Sequence, residues 1–254
     1  MGRRLLRVLG VLAALAALVA IVLLVEVELA RRGPDLTDDA PLDLDGLVGA
    51  GRPGPVEGVV WLGDSTAAGV GASGRATALP RQVARAAAGP VELTVLAVSG
   101  DRVADVLDEQ VAAVPDGTDT VYVSVGANDA VHLTRAADFR RRYEAVLRAL
   151  PAGVDRVVLL GVPDLGSTPR FAQPLRFLAG VRGGTLDAVI ADLADAPGRT
   201  YVDIAGETGP AFRRDPGRLF AADDYHPNDR GYARWAAAVV DATRSEHGVD
   251  EASR

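Results

Sequence analysis

Five short runs of almost unbroken apolar residues recur along the chain: VVWL from Val59, LTVLAV from Leu93, VYVSV from Val121, RVVLLGV from Arg156 and TYVDI from Thr200. Strands that are apolar on both faces must be covered on both faces, which is the condition of a parallel sheet wrapped by helices. The intervening stretches supply those helices. Val103, Val106, Leu107, Val111 and Val114 share one helical face, as do Phe139, Tyr143, Val146, Leu147 and Leu150. After the punctuation of HPND, a last helix carries Tyr232, Trp235, Ala236, Val239 and Val240 on its apolar side. The predicted fold is a three-layer α/β/α domain around a five-stranded parallel sheet. Ligands of such sheets bind outside the carboxyl ends of the strands, so the chemistry belongs there.

Composition removes several functions. Of 254 residues, 48% are hydrophobic, enough for one good-sized core. The net charge is −7 and there is no basic run or aromatic-interleaved basic patch, which argues against a nucleic-acid partner. The absence of Cys excludes disulfides, thiolate metal sites, a Cys nucleophile and a Cys-linked lipid anchor. Every basic residue is Arg, which with the heavy use of Ala, Gly and Val reads as coding bias.

The chain begins with Arg3, Arg4 and Arg7 and continues into an apolar run from Val8 to Val25. As a helix that run is about 27 Å long, close to the thickness of a bilayer's hydrocarbon core. A buried core helix rarely stays apolar on every face over such a length. A cleaved signal peptide fits the basic start and apolar middle, but Glu26, Val27, Glu28, Leu29 and Ala30 offer no small-x-small cleavage site. The expectation is therefore an uncleaved signal anchor over residues 1–32, with secretion after cleavage as the alternative. Arg on the amino-terminal side outnumbers Arg31 and Arg32 beyond the run, which puts the N-terminus in the cytoplasm and the remainder outside it. Most of the acidity lies in that remainder, so it has no evident electrostatic hold on anionic lipid. Residues 33–55, rich in Asp, Gly and Pro, read as a flexible linker, 56–243 as the folded domain and 244–254 as a polar tail containing His247.

Three successive predicted strands end in residues with two readings each. The first runs into Gly63, Asp64 and Ser65, where Asp64 or Ser65 is either a helix cap or, for Ser65, a nucleophile at a strand's carboxyl end. The second leads to Ser99, Gly100 and Asp101, with Gly100 either a turn glycine or a backbone N–H open to a substrate. The third ends in GAND, where Asn128 is a turn-former or a side-chain amide donor. Before the last helix stand Asp223, Asp224, Tyr225 and His226; an Asp three residues before a His can hold Nδ1 and leave Nε2 free. His132 follows the Asn128 turn without a suitably placed acid nearby in sequence. Each motif alone favours the plainer reading. Together they place the parts of one acyl-transfer site at three consecutive strand ends and in the last loop.

The segments GDSTAAGVGA, AVSGDRV, VGAND and DDYHP, in that order, resemble the SGNH (GDSL-type) serine esterase and lipase hydrolases over roughly Val56 to Thr243. The resemblance implies a flavodoxin-like fold without the nucleophile elbow of α/β-hydrolases, and no G-x-S-x-G surrounds Ser65. It implies catalysis by Ser65, His226 and Asp223, with Asp223 preferred to Asp224 by the family's D-x-x-H pattern. It also implies an oxyanion hole from the backbone N–H groups of Ser65 and Gly100 and the side chain of Asn128. No cofactor or metal is called for. The implied substrate is a small-molecule or lipid ester; an apolar wall over 162–178, with the membrane anchor, would favour acyl or lipid esters such as lysophospholipids. Carbohydrate O-deacetylation, acyl transfer, or a catalytically silent surface domain binding a glycan or lipid are the alternatives. Residues 162–178, with three Pro and two Phe, either form an apolar wall beside the cleft or simply lead into a core helix.

Overall fold

The central strands are buried on both faces, and successive residues enter two separate cores. On β2 (Glu57–Gly63), Val60 and Leu62 enter one cluster while Val59 and Trp61 enter the other. The same division separates Val121 and Val123 from Tyr122 on the neighbouring strand, and Trp61 stacks flat on Tyr122 across the pair, ring centroids 4.4 Å apart. The computed structural model describes residues 2–36 and 40–251.

The chain begins with α1 (Gly2–Arg31), then β1 (Gly46–Val48), β2, α2 (Leu79–Ala86) and β3 (Val91–Val95). α3 (Val103–Asp105) widens into a π turn (Val106–Gln110) and closes as a 3-10 turn (Val111–Ala113). There follow β4 (Thr120–Ser124), α4 (Ala127–Val131), α5 (Ala136–Ala149), β5 (Arg156–Leu160), α6 (Leu175–Ala194), β6 (Arg199–Val202), α7 (Ile204–Arg214), α8 (Pro216–Leu219) and α9 (Asp229–Glu251). α3, α5 and α6 cover one face of the sheet; α2, α7, α8 and α9 cover the other, with Tyr232, Trp235, Ala236 and Val239 of α9 buried.

The sheet has six strands in the order β1-β3-β2-β4-β5-β6, all neighbours parallel except β1, which pairs antiparallel with β3. The five predicted strands are present and parallel, in the 2-1-3-4-5 arrangement of flavodoxin-like sheets. The sixth corrects the sequence reading. It lies within 33–55, read there as linker, where Leu44 and Val48 are buried and Asp45 Oδ1 accepts the amide of Val95 at 2.8 Å. Three residues carry no readable period, and β3 has an open edge whose unpaired backbone groups such a segment satisfies.

The predicted polar tail also differs. α9 runs through residue 243 to Glu251, beyond which 252–254 lie outside the described residues, as do 37–39 of the linker and the side chain of His247.

The crossover from β2 to β3 goes to one side of β2 and that to β4 to the other, so the chain reverses direction across the sheet at β2 and β4. A crevice opens at such a switch point, outside the carboxyl ends of the strands. Ser65 follows β2 and Asn128 follows β4.

Candidate active site

At the end of β2 the chain turns against β4 through Gly63, whose φ is 147°. A Cβ there would lie 2.1 Å from the Ser124 carbonyl oxygen, so only glycine fits. Asp64 then closes a tight turn: its Oδ1 accepts the amide of Thr66 at 3.0 Å and the Thr66 hydroxyl at 2.8 Å. The amides of Ala68 and Val70 bond back to the carbonyls of Asp64 and Ser65. The next helix begins only at Leu79, so neither Asp64 nor Ser65 caps it; the turn presents Ser65 instead.

The loop before α9 meets that turn from the other side. His226 Nε2 lies 2.8 Å from Ser65 Oγ, and His226 Nδ1 lies 2.5 Å from Asp223 Oδ2. Asp223 Oδ1 accepts the amides of Tyr225 and His226, each at 3.0 Å, which fixes the carboxylate. A carboxylate at Nδ1 keeps the imidazole proton there, so Nε2 is the acceptor and the Ser65 hydroxyl donates. Ser65, His226 and Asp223 are all buried. Burial works to raise the Asp223 pKa, but the hydrogen bond and charge of His226, with the two amides, outweigh it and hold the carboxyl below its usual range. Asp224, one residue on, adopts φ of 56° and gives its carbonyl to the Arg170 amide; the carboxylate on the imidazole is that of Asp223.

Asn128 stands in the first turn of α4, after Gly126 with φ of 134°. Its Nδ2 donates to the Asp101 carbonyl at 3.0 Å, and not to its own backbone as a turn-former's would. Ser65, Asn128 and His226 line one cleft. Gly100 does not line its closed part; it is exposed beside the Asp101 carbonyl that Asn128 holds, with φ of 91° and nothing within 4 Å of the place a Cβ would take. His132 is exposed at the end of α4, its Nδ1 2.9 Å from the Asn128 carbonyl oxygen, and is not among the residues lining the cleft.

The stretch over 162–178 divides. Pro163, Leu165 and Thr168 line the cleft, across from Phe212, Phe220 and Trp235. Phe171 is buried with its ring edge-on to Tyr225, which in turn stands edge-on to His226. Phe177 and Leu178 are exposed. The cleft has a volume of about 30 Å³, room for roughly two waters.

Two further residues support the site, of which Gln110 escaped the sequence reading. Gln110, buried on the otherwise apolar face of its helix, accepts the Gly63 amide at 2.8 Å and donates to the Gly63 carbonyl at 2.8 Å and to Asp101 Oδ2 at 2.7 Å. It thus ties the loops after β2 and β3 together. It ends the π turn, a local widening that often marks a functional site. A polar residue among Val103, Val106, Val111 and Val114 was the available signal. Asp129, fully buried, accepts the amide of Val103 at 2.9 Å and so caps α3 across the crevice. Burial raises the pKa of Asp64 to about 6, against the Thr66 hydrogen bonds and the charge of His226, which lower it. Among the described residues there is no group of three or more His, Asp or Glu placed to hold a metal ion.

Comparison with known proteins gives a family match over the same region. Residues 61–234 match the family model described as the GDSL-like Lipase/Acylhydrolase family. A GDSL-like esterase of Mycobacterium tuberculosis is 30% identical over 222 residues, covering 81% of this chain and 70% of that protein. Lipase 1 of Streptomyces coelicolor is 27% identical over 227 residues, covering 72% of this chain and 85% of its relative. Among solved structures, the lipase Lip_vut3 from a goat rumen metagenome shares the fold with a TM-score of 0.59 at 19% identity, over 73% of this chain and 97% of that one.

Proposed function

Since the chain belongs to the GDSL-like lipase/acylhydrolase family and is an ester-hydrolysing enzyme, we propose that it cleaves carboxylic esters through an acyl-enzyme on Ser65. The observation that carries this reading is the buried chain of hydrogen bonds from Ser65 Oγ to His226 to Asp223, at 2.8 and 2.5 Å. His226 Nε2 takes the hydroxyl proton as Oγ attacks the ester carbonyl, and Asp223 stabilises the imidazolium that results. The oxyanion is met by the amide of Asn128 and the backbone N–H of Ser65 in the cleft, with the N–H of Gly100 as a third donor supplied from the exposed loop after β3. His226 passes its proton to the leaving alcohol, water enters, and the same steps in reverse release the acid and restore Ser65.

The apolar wall of Leu165, Phe212, Phe220 and Trp235 supports acyl or lipid esters as substrates. The narrowness of the cleft favours a second reading, short acyl groups such as acetyl carried on a larger alcohol, including a carbohydrate. A panel of p-nitrophenyl esters from acetyl to palmitoyl separates the two: rising turnover with chain length supports the lipid reading, and a maximum at acetyl supports the other. Ser65→Ala run in parallel must be inactive throughout.

The domain over residues 56–243, extended by β1, is read as standing outside the cytoplasm on α1, retained as a single membrane-spanning anchor. Its stretch Leu5–Arg31 is long and apolar enough to cross a bilayer and is unburied in its apolar window.

A further inference from the structure

The exit of α1 does not hang free of the domain. Glu26, one residue past the apolar run, is buried, and its Oε2 accepts the amide of Leu175, the first residue of α6, at 2.9 Å. A carboxylate at that place satisfies a backbone donor left open at a helix start. Val22, Leu23, Val27 and Ala30 are half-buried on the same side of α1 as Glu26, at helical spacing, and Ala30 packs against the core. Arg170 completes the attachment. Its Nε donates to the Ala30 carbonyl at 2.6 Å, Nη2 to that of Gly33 at 3.1 Å, and Nη1 to those of Pro34 and Asp223, the last at 3.0 Å. One side chain therefore spans from the last turn of α1 to the residue that holds His226.

Because Glu26 meets Leu175, the first turns of α6 stand at the level where the apolar run of α1 ends. There Phe177, Leu178 and Val181 are 63%, 41% and 53% exposed. Their spacing, i to i+4 and i to i+3, makes them one stripe, while Ala179, Gly183 and Leu186 on the other side of α6 are buried. We propose that this stripe is a second membrane contact, seated in the boundary between headgroups and acyl chains beside α1. It rests on the reading that α1 stays in the bilayer. Lipid is the occupant the geometry selects, because α1 and α6 are joined at this level and both expose apolar side chains near the joint, Leu24, Val25 and Leu29 on α1 and the stripe on α6. The consequence for function is that the active site is held against the membrane surface, one arginine side chain from the anchor.

The chain has no Cys, so single labels can be placed without removing any. The full chain carrying Leu15→Cys, Phe177→Cys, Val181→Cys or Ala237→Cys is labelled with an NBD fluorophore and reconstituted into phosphatidylcholine vesicles, with or without doxyl lipid quencher. Ala237 is exposed on α9, across the sheet from α6. Reaction with a fluorophosphonate to the parent extent shows that each variant is folded. The expected result is that labels at 15, 177 and 181 lose most of their fluorescence to the doxyl lipid while that at 237 does not. If 15 is quenched but 177 and 181 stay as bright as 237, or self-quench between copies without responding to lipid, the stripe is not a membrane contact. If the label at 15 is cleaved off or unquenched, the anchor reading fails and this inference with it.

Discussion

Asn128 is the residue whose two readings separate most cleanly by experiment. Its amide sits in the first turn of α4 and reaches across to Asp101, a geometry that suits a donor held ready for an oxyanion. Removing one such donor costs about 100- to 1,000-fold in turnover. Asn128→Ala is expected to lose that much kcat with little change in thermal unfolding; an unaltered kcat excludes the donor role. Asp64 is legible as a turn residue, but its burial is not, and burial makes it titrate. With its pKa raised from 3.8 to about 6, the folded chain holds this proton more tightly than the unfolded one. Stability from this group is therefore full below about pH 4 and is lost as pH rises through about 6, by about 3 kcal/mol in all. Asp64→Asn keeps an oxygen for the Thr66 amide and carries no charge, so its stability should fall less between pH 4.5 and 7 than that of the parent, as read by thermal unfolding in detergent. Asp223 is shifted the other way; its contribution is present above the usual carboxylate range and lost as the solution is acidified below it.

At the scale of elements, the pattern of apolar residues marked the five parallel strands, as unbroken runs, and the faces of the main helices, as a period, because both are local in sequence. What it could not mark was contact between distant segments. β1 is three residues long and exists because β3 has an edge to fill. Gln110 lies on the buried face at helical spacing from Val103 and Val106, but nothing in that spacing announces its bond to Gly63, 47 residues away. Arg170 finds Ala30, Gly33 and Pro34 across about 140 residues of sequence, and nothing in its neighbours announces this. Arg170→Ala leaves those carbonyls and that of Asp223 short of a charged donor, and should lower the unfolding free energy by about 2 kcal/mol. Arg170→Lys should not restore it, since an ammonium lacks the planar fork that serves several carbonyls at once. Full rescue by Lys would show that charge alone matters there.

For the whole molecule, the sheet order explains why the site was readable at all. Ser65 and Asn128 follow strands on either side of the point where the chain reverses across the sheet, and the last loop brings Asp223 and His226 to the same crevice. Strand ends are visible in sequence, so residues placed on them are visible too; Gly100, although its loop is tied to Gln110 and Asn128 through Asp101, is exposed outside the cleft lining. α1 gives the molecule its second property. The chain should remain with membranes through an alkaline carbonate wash, whereas release of a shortened soluble form would mean that residues 1–32 are cleaved. The central claim is that Ser65 is the nucleophile, and mapping the site of fluorophosphonate attachment by peptide mass spectrometry tests it most directly. The account predicts a single adduct on Ser65, absent from Ser65→Ala together with all esterase activity. An adduct on another residue, or turnover surviving in Ser65→Ala, would contradict it.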